Sequence, residues 1–580
     1  MSDTSKVWFL TGATSNFGVA LTRTLLKAGH CVVATARSPS KLPFTEEESD
    51  ALMILPLDVS DPSSISVAFD AAKKRFGRID VVVNKAGSNA VGELEALSDE
   101  RARGIFTTQF WGPARVQEEA AKIFTAQGDQ GLIFNITSPA AVFPGPLGTI
   151  MCASKAASEV WTLARARGLP SVVAVNVRPG GFEEHPQADL KEQPPAYGAK
   201  DLGRTVSATL RSAMGNQPPG IGDVHKMVAQ LVAIADQPRN QLQSAILLGS
   251  ESYGVSRAMA LKQIAHISHS QNILRSVKTA STRSSIARVW FVSNANTTLG
   301  QTLVRVLLAA GSRVAAVTPA NETQSLAIAH DHLLLVRLQD LSVASITSAM
   351  DEAVERFGRL DLVVNAPSRG PGSQGDSWDL LHGAVDRIFW SSMNTSSAGV
   401  KTLRERNPTG AGGRIFNILA TESGVGPIVS TMNKALEVGT IALSRELPRK
   451  WNIGVSAITI DGDLHADDET ARTLVAMAEL SYSILPSQLS IGSQSLALAQ
   501  YAAQIELDET CSEQVMARAM AMDRDYIDGR ARVGLYLSIF TLIISPSPSH
   551  FTMFILVLST VGWGLRLVAV ETFKRLFTRK

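Results

Sequence analysis

Two stretches decide the fold: Val7–Arg37, VWFLTGATSNFGVALTRTLLKAGHCVVATAR, and Val289–Pro319, VWFVSNANTTLGQTLVRVLLAAGSRVAAVTP. They are one unit written twice. The correspondence persists downstream, with RFGRIDVVVNKAG from Arg75 against RFGRLDLVVNAPS from Arg356, and GLIFNITS from Gly131 against GRIFNILA from Gly413. Within the first copy the apolar runs Val7–Leu10, Cys31–Thr35, Val81–Val83, Leu132–Ile136 and Val172–Val177 alternate with longer helical stretches. Runs apolar on both faces imply strands buried on both sides, hence a parallel sheet covered by helices.

The expected fold is α/β: two tandem Rossmann-like, doubly wound parallel-sheet domains followed by a C-terminal hydrophobic helical tail. The expected boundaries are 1–267 for the first copy, 268–286 for a linker, 287–528 for the second copy and 529–580 for the tail. The linker stretch SHSQNILRSVKTASTRSS is rich in Ser, Thr and basic residues and lacks periodicity, as a solvated connection does.

A chain of 580 residues with 45% apolar and 19% charged residues is too long for one ordinary core and too apolar for disorder. Its net charge of +2 supplies no field for nucleic acid, and no nucleic-acid partner is expected. Three scattered cysteines, Cys31, Cys152 and Cys511, show no metal spacing and suit a reducing compartment. The opening MSDTSKVWFLTGA enters a strand pattern without a secretory signal, so the folded copies are expected in the cytosol.

The composition changes after about Asp528. Gly534–Ile544 is apolar but too short to span a bilayer, whereas Phe551–Val570, interrupted by Arg566, reaches the ~20 residues a spanning helix needs. Arg530 and Arg532 precede the region, and Lys574, Arg575, Arg579 and Lys580 follow it. A C-terminal anchor, single span or hairpin, on the cytosolic face of a membrane is expected.

TGATSNFG, Thr11–Gly18, follows a strand and opens a helix. Glycines at such a turn let the backbone approach a pyrophosphate, while the helix amino terminus offers N–H groups and the positive end of its dipole. The middle position is Asn16, the non-glycine residue type that best tolerates the left-handed region.

With these residues in order, the chain resembles two tandem members of the short-chain dehydrogenase/reductase family, from Lys6 to about Asp528. The resemblance implies cofactor contacts from Gly12, Asn16, Phe17 and Gly18, an adenine-side acid at Asp58, and the strand-end motif Asn84-Lys85-Ala86-Gly87. It further implies a catalytic serine at Ser138, a lysine at Lys155 that serves both catalysis and cofactor, and a nicotinamide-side Pro179-Gly180. Arg37 ends the second strand where a ribose 2′ substituent would sit, and a guanidinium there favours a 2′-phosphate, hence NADP(H). No metal is implied.

The departures carry equal weight. The family's helix asparagine corresponds to Gln109, and its catalytic tyrosine to Met151, whose thioether cannot donate a proton. In the second copy Gly12 corresponds to Asn294, Arg37 to Pro319, Ser138 to Ala420 and Met151 to Ser430, while Asp340, Asn365, Lys434 and Gly462 remain. That copy is expected to have lost both the phosphate turn and the chemistry, and to serve as an internal pseudo-dimer partner. Cys152 is expected to pack rather than react, and Tyr197 is the one displaced proton donor considered.

The family reading is hydride transfer between NADP(H) and a carbonyl or alcohol of a lipophilic small molecule. Losing a general acid costs a factor of about 10² to 10⁴, so slow chemistry survives the change at 151. Two alternatives stand beside it: a redox-silent isomerase or cyclase, and a nucleotide-binding pseudoenzyme at a membrane.

Overall fold

The computed structural model describes residues 5–87, 92–145, 147–181, 222–249, 252, 253, 256, 288–320, 326, 328–367, 377–421, 426–447, 451–461, 468–478 and 488–491. The linker 268–286, Tyr197, Gly462, Cys511 and the apolar tail 529–580 lie outside the described residues. Among the described residues no helix is long and apolar enough to cross a membrane.

The first copy is a seven-stranded parallel sheet in the order β3-β2-β1-β4-β5-β6-β7. Its strands are β1 (Val7–Thr11), β2 (Cys31–Ala36), β3 (Leu52–Pro56), β4 (Val81–Asn84), β5 (Gly131–Ile136), β6 (Val172–Pro179) and β7 (Ala245–Leu248). The second copy repeats this as β10-β9-β8-β11-β12-β13-β14. There the strands are β8 (Val289–Ser293), β9 (Arg313–Pro319), β10 (Leu333–Leu338), β11 (Leu362–Asn365), β12 (Gly413–Thr421), β13 (Ile453–Asp461) and β14 (Gln488–Ile491). The chain belongs to the doubly wound class: Val7, Phe9 and Val33 fill a core on one face of the first sheet, Trp8, Leu10 and Val32 a core on the other.

Strand order reverses between β1 and β4, and such a switch point opens a crevice at the carboxyl ends of the strands. Thr11 closes its floor by accepting the Lys85 and Ala86 N–H groups at 3.0 and 3.1 Å. Gly12 follows at φ +72°, and a Cβ there would stand 2.9 Å from the Ala86 backbone. Ser15 caps helix α1 (Asn16–Lys27) by accepting the Gly18 N–H at 3.1 Å, and a Cβ on Gly18 would strike Ala13. Gly12 is therefore required by conformation and close approach, and Gly18 by close approach alone.

The second copy keeps this turn, which corrects the expectation that it had been lost. Asn294 takes φ +49° in place of Gly12, Thr297 accepts the Gly300 N–H at 3.2 Å, and the following helix starts as α1 does. Asn is tolerated in the left-handed region, and its amide Nδ2 donates to the Ala366 carbonyl at 2.9 Å.

The two copies share one core. Helix α3 (Asp99–Phe106), a π-helical turn (Thr107–Trp111), helix α4 (Gly112–Gln127) and helix α5 (Thr149–Arg167) face the second copy. Phe106 stacks on Phe389 at 4.9 Å and meets Trp390 edge-on at 5.6 Å, while Trp111 stacks on His382 at 4.0 Å. The long contact is α5 against the helix Pro427–Glu446. It is close because small residues meet there: a Cβ on Gly439 would lie 3.5 Å from the Ala153 methyl. Burying each large seam side chain contributes roughly 1.5–3 kcal/mol.

Candidate active site

Helix α5 carries Met151 and Lys155 four residues apart, so they lie one turn apart on the same helix face. Lys155 Nζ donates to the Ile136 carbonyl at 3.2 Å and stands 3.8 Å from where a Cβ on Gly87 would be. The lysine therefore spans from the end of β5 to the end of the Asn84–Gly87 motif, beside the crevice. Ser138, just beyond β5, begins a short 3₁₀ turn (Pro139–Ala141), its Oγ accepting the Ala140 N–H at 3.2 Å. Ala140 and Met151 pack on the same small cluster of Cys152, Ala156 and, from the second copy, Val438. The structure thus brings Ser138, Met151 and Lys155 to one rim.

Cys152 is buried, and burial pushes its thiol up to about 11, so it packs as expected. Gln109 sits in the π-helical turn, buried, where its Oε1 accepts the Ser154 hydroxyl at 2.8 Å. Its contact is with α5, between Met151 and Lys155. The second copy has a matching π-helical turn at Asp386–Trp390, with Ile388 at the glutamine's place.

On the adenine side, Asp58 accepts the Ser60 N–H at 2.9 Å and hydroxyl at 2.6 Å, shaping the turn ahead of helix α2 (Pro62–Phe76). Arg37 is exposed just after β2 and makes no hydrogen bond or ion pair among the described residues. Asn84 donates to the Pro113 carbonyl at 3.3 Å, while its buried Oδ1 has no partner among the described residues. Pro179 ends β6, and the Gly180 N–H donates to the Leu248 carbonyl at 2.7 Å. These residues line one end of the sheet around the switch point, and they fit a dinucleotide: a glycine turn packed against the Ala86 backbone, a helix amino terminus, a guanidinium with no partner among the described residues and an ammonium beside the crevice.

Several groups at the rim were invisible in the sequence. Glu446, the last residue of Pro427–Glu446, accepts the Leu94 N–H at 2.9 Å and the Thr149 hydroxyl at 3.3 Å. Arg445 donates to the Pro144 carbonyl and lies over the Phe143 ring at 5.0 Å. The sequence signal available was one acid at a helix carboxyl end, where the dipole disfavours it. Lys434, equivalent to Lys155, is turned instead into an ion pair with Glu437 at 2.7 Å. A cavity of about 840 Å³ opens elsewhere on the seam, between Leu94, Arg103, Asp340 and Trp390, and neither Ser138, Met151 nor Lys155 lines it.

Residues 6–194 match the short chain dehydrogenase family. The chain is 32% identical over 246 residues to the oxidoreductase calM of Penicillium decumbens, covering 38% of this chain and 79% of that protein. It is 33% identical over 216 residues to the oxidoreductase claN of Passalora fulva, covering 36% of this chain and 97% of that one. Two solved structures follow the tandem arrangement as a whole. The N-domain of a bacterial malonyl-CoA reductase, with NADP, superposes with TM-score 0.63 at 17% identity, covering 84% of this chain and 97% of that chain. The C-domain of a bacterial malonyl-CoA reductase, also with NADP, gives TM-score 0.56 at 15% identity, covering 84% and 98%. At those identities the likeness is one of fold.

Proposed function

Because the chain belongs to the short chain dehydrogenase family, we propose that its first copy is an NADP(H)-dependent oxidoreductase site and its second copy a built-in partner without a nucleotide site. The carrying observation is the contrast between the copies. Gly12 makes the turn bare of any side chain and Lys155 stands at the crevice edge, whereas in the second copy Asn294 makes the turn with its amide bonded to the Ala366 carbonyl and Lys434 is diverted to Glu437. That two NADP-holding domains share the tandem fold supports the choice of cofactor.

The cofactor supplies a hydride to, or takes one from, a carbonyl or alcohol carbon. Gly12, Gly18 and the amino end of α1 would hold its pyrophosphate, Arg37 its 2′-phosphate and Lys155 its nicotinamide ribose. Ser138 Oγ orients the substrate oxygen. Both copies lack the tyrosine, as Met151 and Ser430 stand in its place, so the proton reaches that oxygen through water beside Lys155. This makes the reaction slow and selects substrates that need little proton assistance. The apolar side chain of Met151 suits a lipophilic substrate, and the segment Phe551–Val570 with its basic flanks holds the protein on the cytosolic face of a membrane.

Titration of the full-length protein with NADPH and NADH tests this reading. NADPH should bind more tightly, and bound NADPH should be consumed when a reactive carbonyl is added. Binding without consumption by any carbonyl would favour the redox-silent isomerase or cyclase, for which Met151 is the supporting observation. Equal binding of the two cofactors would remove Arg37 from its role. Deleting Gly534–Lys580 should release a folded protein from the membrane fraction, and retention there would refute the anchor.

A further inference from the structure

The contacts of Glu446 join two segments of the first copy that are far apart in sequence. Leu94 follows the segment after the Asn84–Gly87 motif, and Thr149 is the first residue of α5, two before Met151. A second tie binds the same segments, the Gly92 N–H donating to the Leu147 carbonyl at 2.8 Å. One carboxyl from the second copy therefore ties the segment around Leu94 to the start of the helix that carries Met151 and Lys155, with Oε1 on Leu94 and Oε2 on Thr149.

We infer that Glu446 is a positioning residue through which the second copy fixes the rim of the first copy's site, and that ionisation of this carboxyl loosens the rim. The inference rests on the reading of the first copy as the working site.

The surroundings say which protonation state holds. Burial of the carboxyl pushes it up to about 8; the hydrogen bonds from Leu94 and Thr149 oppose the rise, and Glu93 and Glu95 add to it. Glu93 is fully buried, and Glu95 is engaged by the Arg404 guanidinium at 2.8 Å. Arg445, the neighbouring cation, extends to Pro144 and Phe143. The position also ends a helix, where the dipole opposes negative charge. A neutral carboxyl accepts from Leu94 through its carbonyl oxygen and shares a proton with the Thr149 hydroxyl. An ionised one gains a charge facing two glutamates.

Hydrogen exchange on the full-length protein, with rates corrected for the intrinsic effect of pH, tests this at Leu94 and around Thr149–Met151. Glu446→Ala should accelerate exchange there roughly tenfold at pH 6.5, on the scale of one lost hydrogen bond. Glu446→Gln, which can accept from Leu94 and donate to Thr149, should retain protection. Unmodified protein should lose protection between pH 7 and pH 9, and Glu446→Gln should not. Unchanged exchange in Glu446→Ala, a glutamine variant resembling the alanine one, or the same loss of protection across both copies would overturn the inference. Failure of NADPH to bind the unmodified protein would defeat the functional reading and leave this exchange result standing.

Discussion

Lys155 and Lys434 stand at matching positions of matching helices and point to different partners: Lys155 Nζ donates to the Ile136 carbonyl at 3.2 Å, Lys434 Nζ pairs with Glu437 at 2.7 Å. One ammonium faces the crevice and the other is spent on its own helix. Lys155→Ala should weaken NADPH binding by about tenfold to a hundredfold, the scale of a charged hydrogen bond of about 1.5–3 kcal/mol. Lys434→Ala should leave it unchanged, since a partly buried pair within one helix contributes about 0–1 kcal/mol to stability and belongs to the second copy. Fluorescence titration of both variants decides this, and equal losses would mean that both copies hold nucleotide.

Arg37 makes no hydrogen bond or ion pair among the described residues, so its substitution should not disturb the fold. Arg37→Ala should reduce the preference for NADPH over NADH by roughly 1.5–3 kcal/mol while leaving NADH affinity alone. A variant that still prefers NADPH would place 2′-phosphate recognition elsewhere.

Phe106 ties the copies together, being fully buried and stacked on Phe389 at 4.9 Å. Phe106→Ala should cost about 3–5 kcal/mol in denaturant unfolding. Because the cluster around it runs through both copies, a single cooperative transition should move. Two separated transitions in the unmodified protein would show instead that the copies unfold independently.

His382 gives the seam a dependence on acid. It stacks on Trp111 and its Nε2 lies 3.2 Å from an Arg115 nitrogen; the guanidinium can only donate, so the imidazole is the acceptor and neutral. Burial holds its pKa below 6.5, Arg115 lowers it further, and Asp386 and Asp379 oppose. The native state thus binds fewer protons than the unfolded chain below about pH 6.5, and stability falls as pH falls through that value. Glu446 acts oppositely: its raised pKa makes stability fall as pH rises from 4.5 towards about 8. Thermal melts from pH 5 to 9 should show His382→Gln flattening the acid limb alone. A variant whose acid limb matches the unmodified protein would exclude this histidine.

The strands that carry the crevice were legible because they are apolar on both faces, and the runs at Val7, Cys31, Val81, Leu132 and Val172 all fall within strands of the structure, each starting at or one residue after the strand's first position. β3 was harder to see: it lies at the sheet edge, only Leu52 of its five residues is buried, and its sequence LMILP ends in proline. The motif residues of the site could be read for the same reason that they fit a nucleotide, since tight turns constrain residue type locally. The fate of the second turn could not be read in this way. Whether Asn294 holds φ +49° depends on the Ala366 carbonyl, 72 residues away. Glu446 was hidden most deeply, because its partner Leu94 lies 352 residues back along the chain.

On the proposed reading Met151 takes the proton donor's place; it is partly exposed, with its methyl 3.4 Å from the position of a Cβ on Gly148 and Ala140 packed on the same cluster. Lys155 lies one helical turn on, so a tyrosine at 151 would stand near its ammonium, which favours the phenolate and lowers the phenol pKa. The neighbours of Met151, Gly148 and Ala140, are small, and Ser138 lies two residues before Ala140. Met151→Tyr should therefore raise NADPH-dependent reduction of a reactive carbonyl at least about tenfold, the low end of what a positioned general acid contributes, with NADPH affinity unchanged. Adding Lys155→Ala to that variant should abolish the gain, because the phenol then returns to its ordinary pKa near 10. Steady-state rates of the unmodified, single and double variants, at saturating NADPH, separate the cases. Brisk reduction by the unmodified protein with no gain from tyrosine would mean that another group delivers the proton, and Tyr197→Phe would be the next substitution to make.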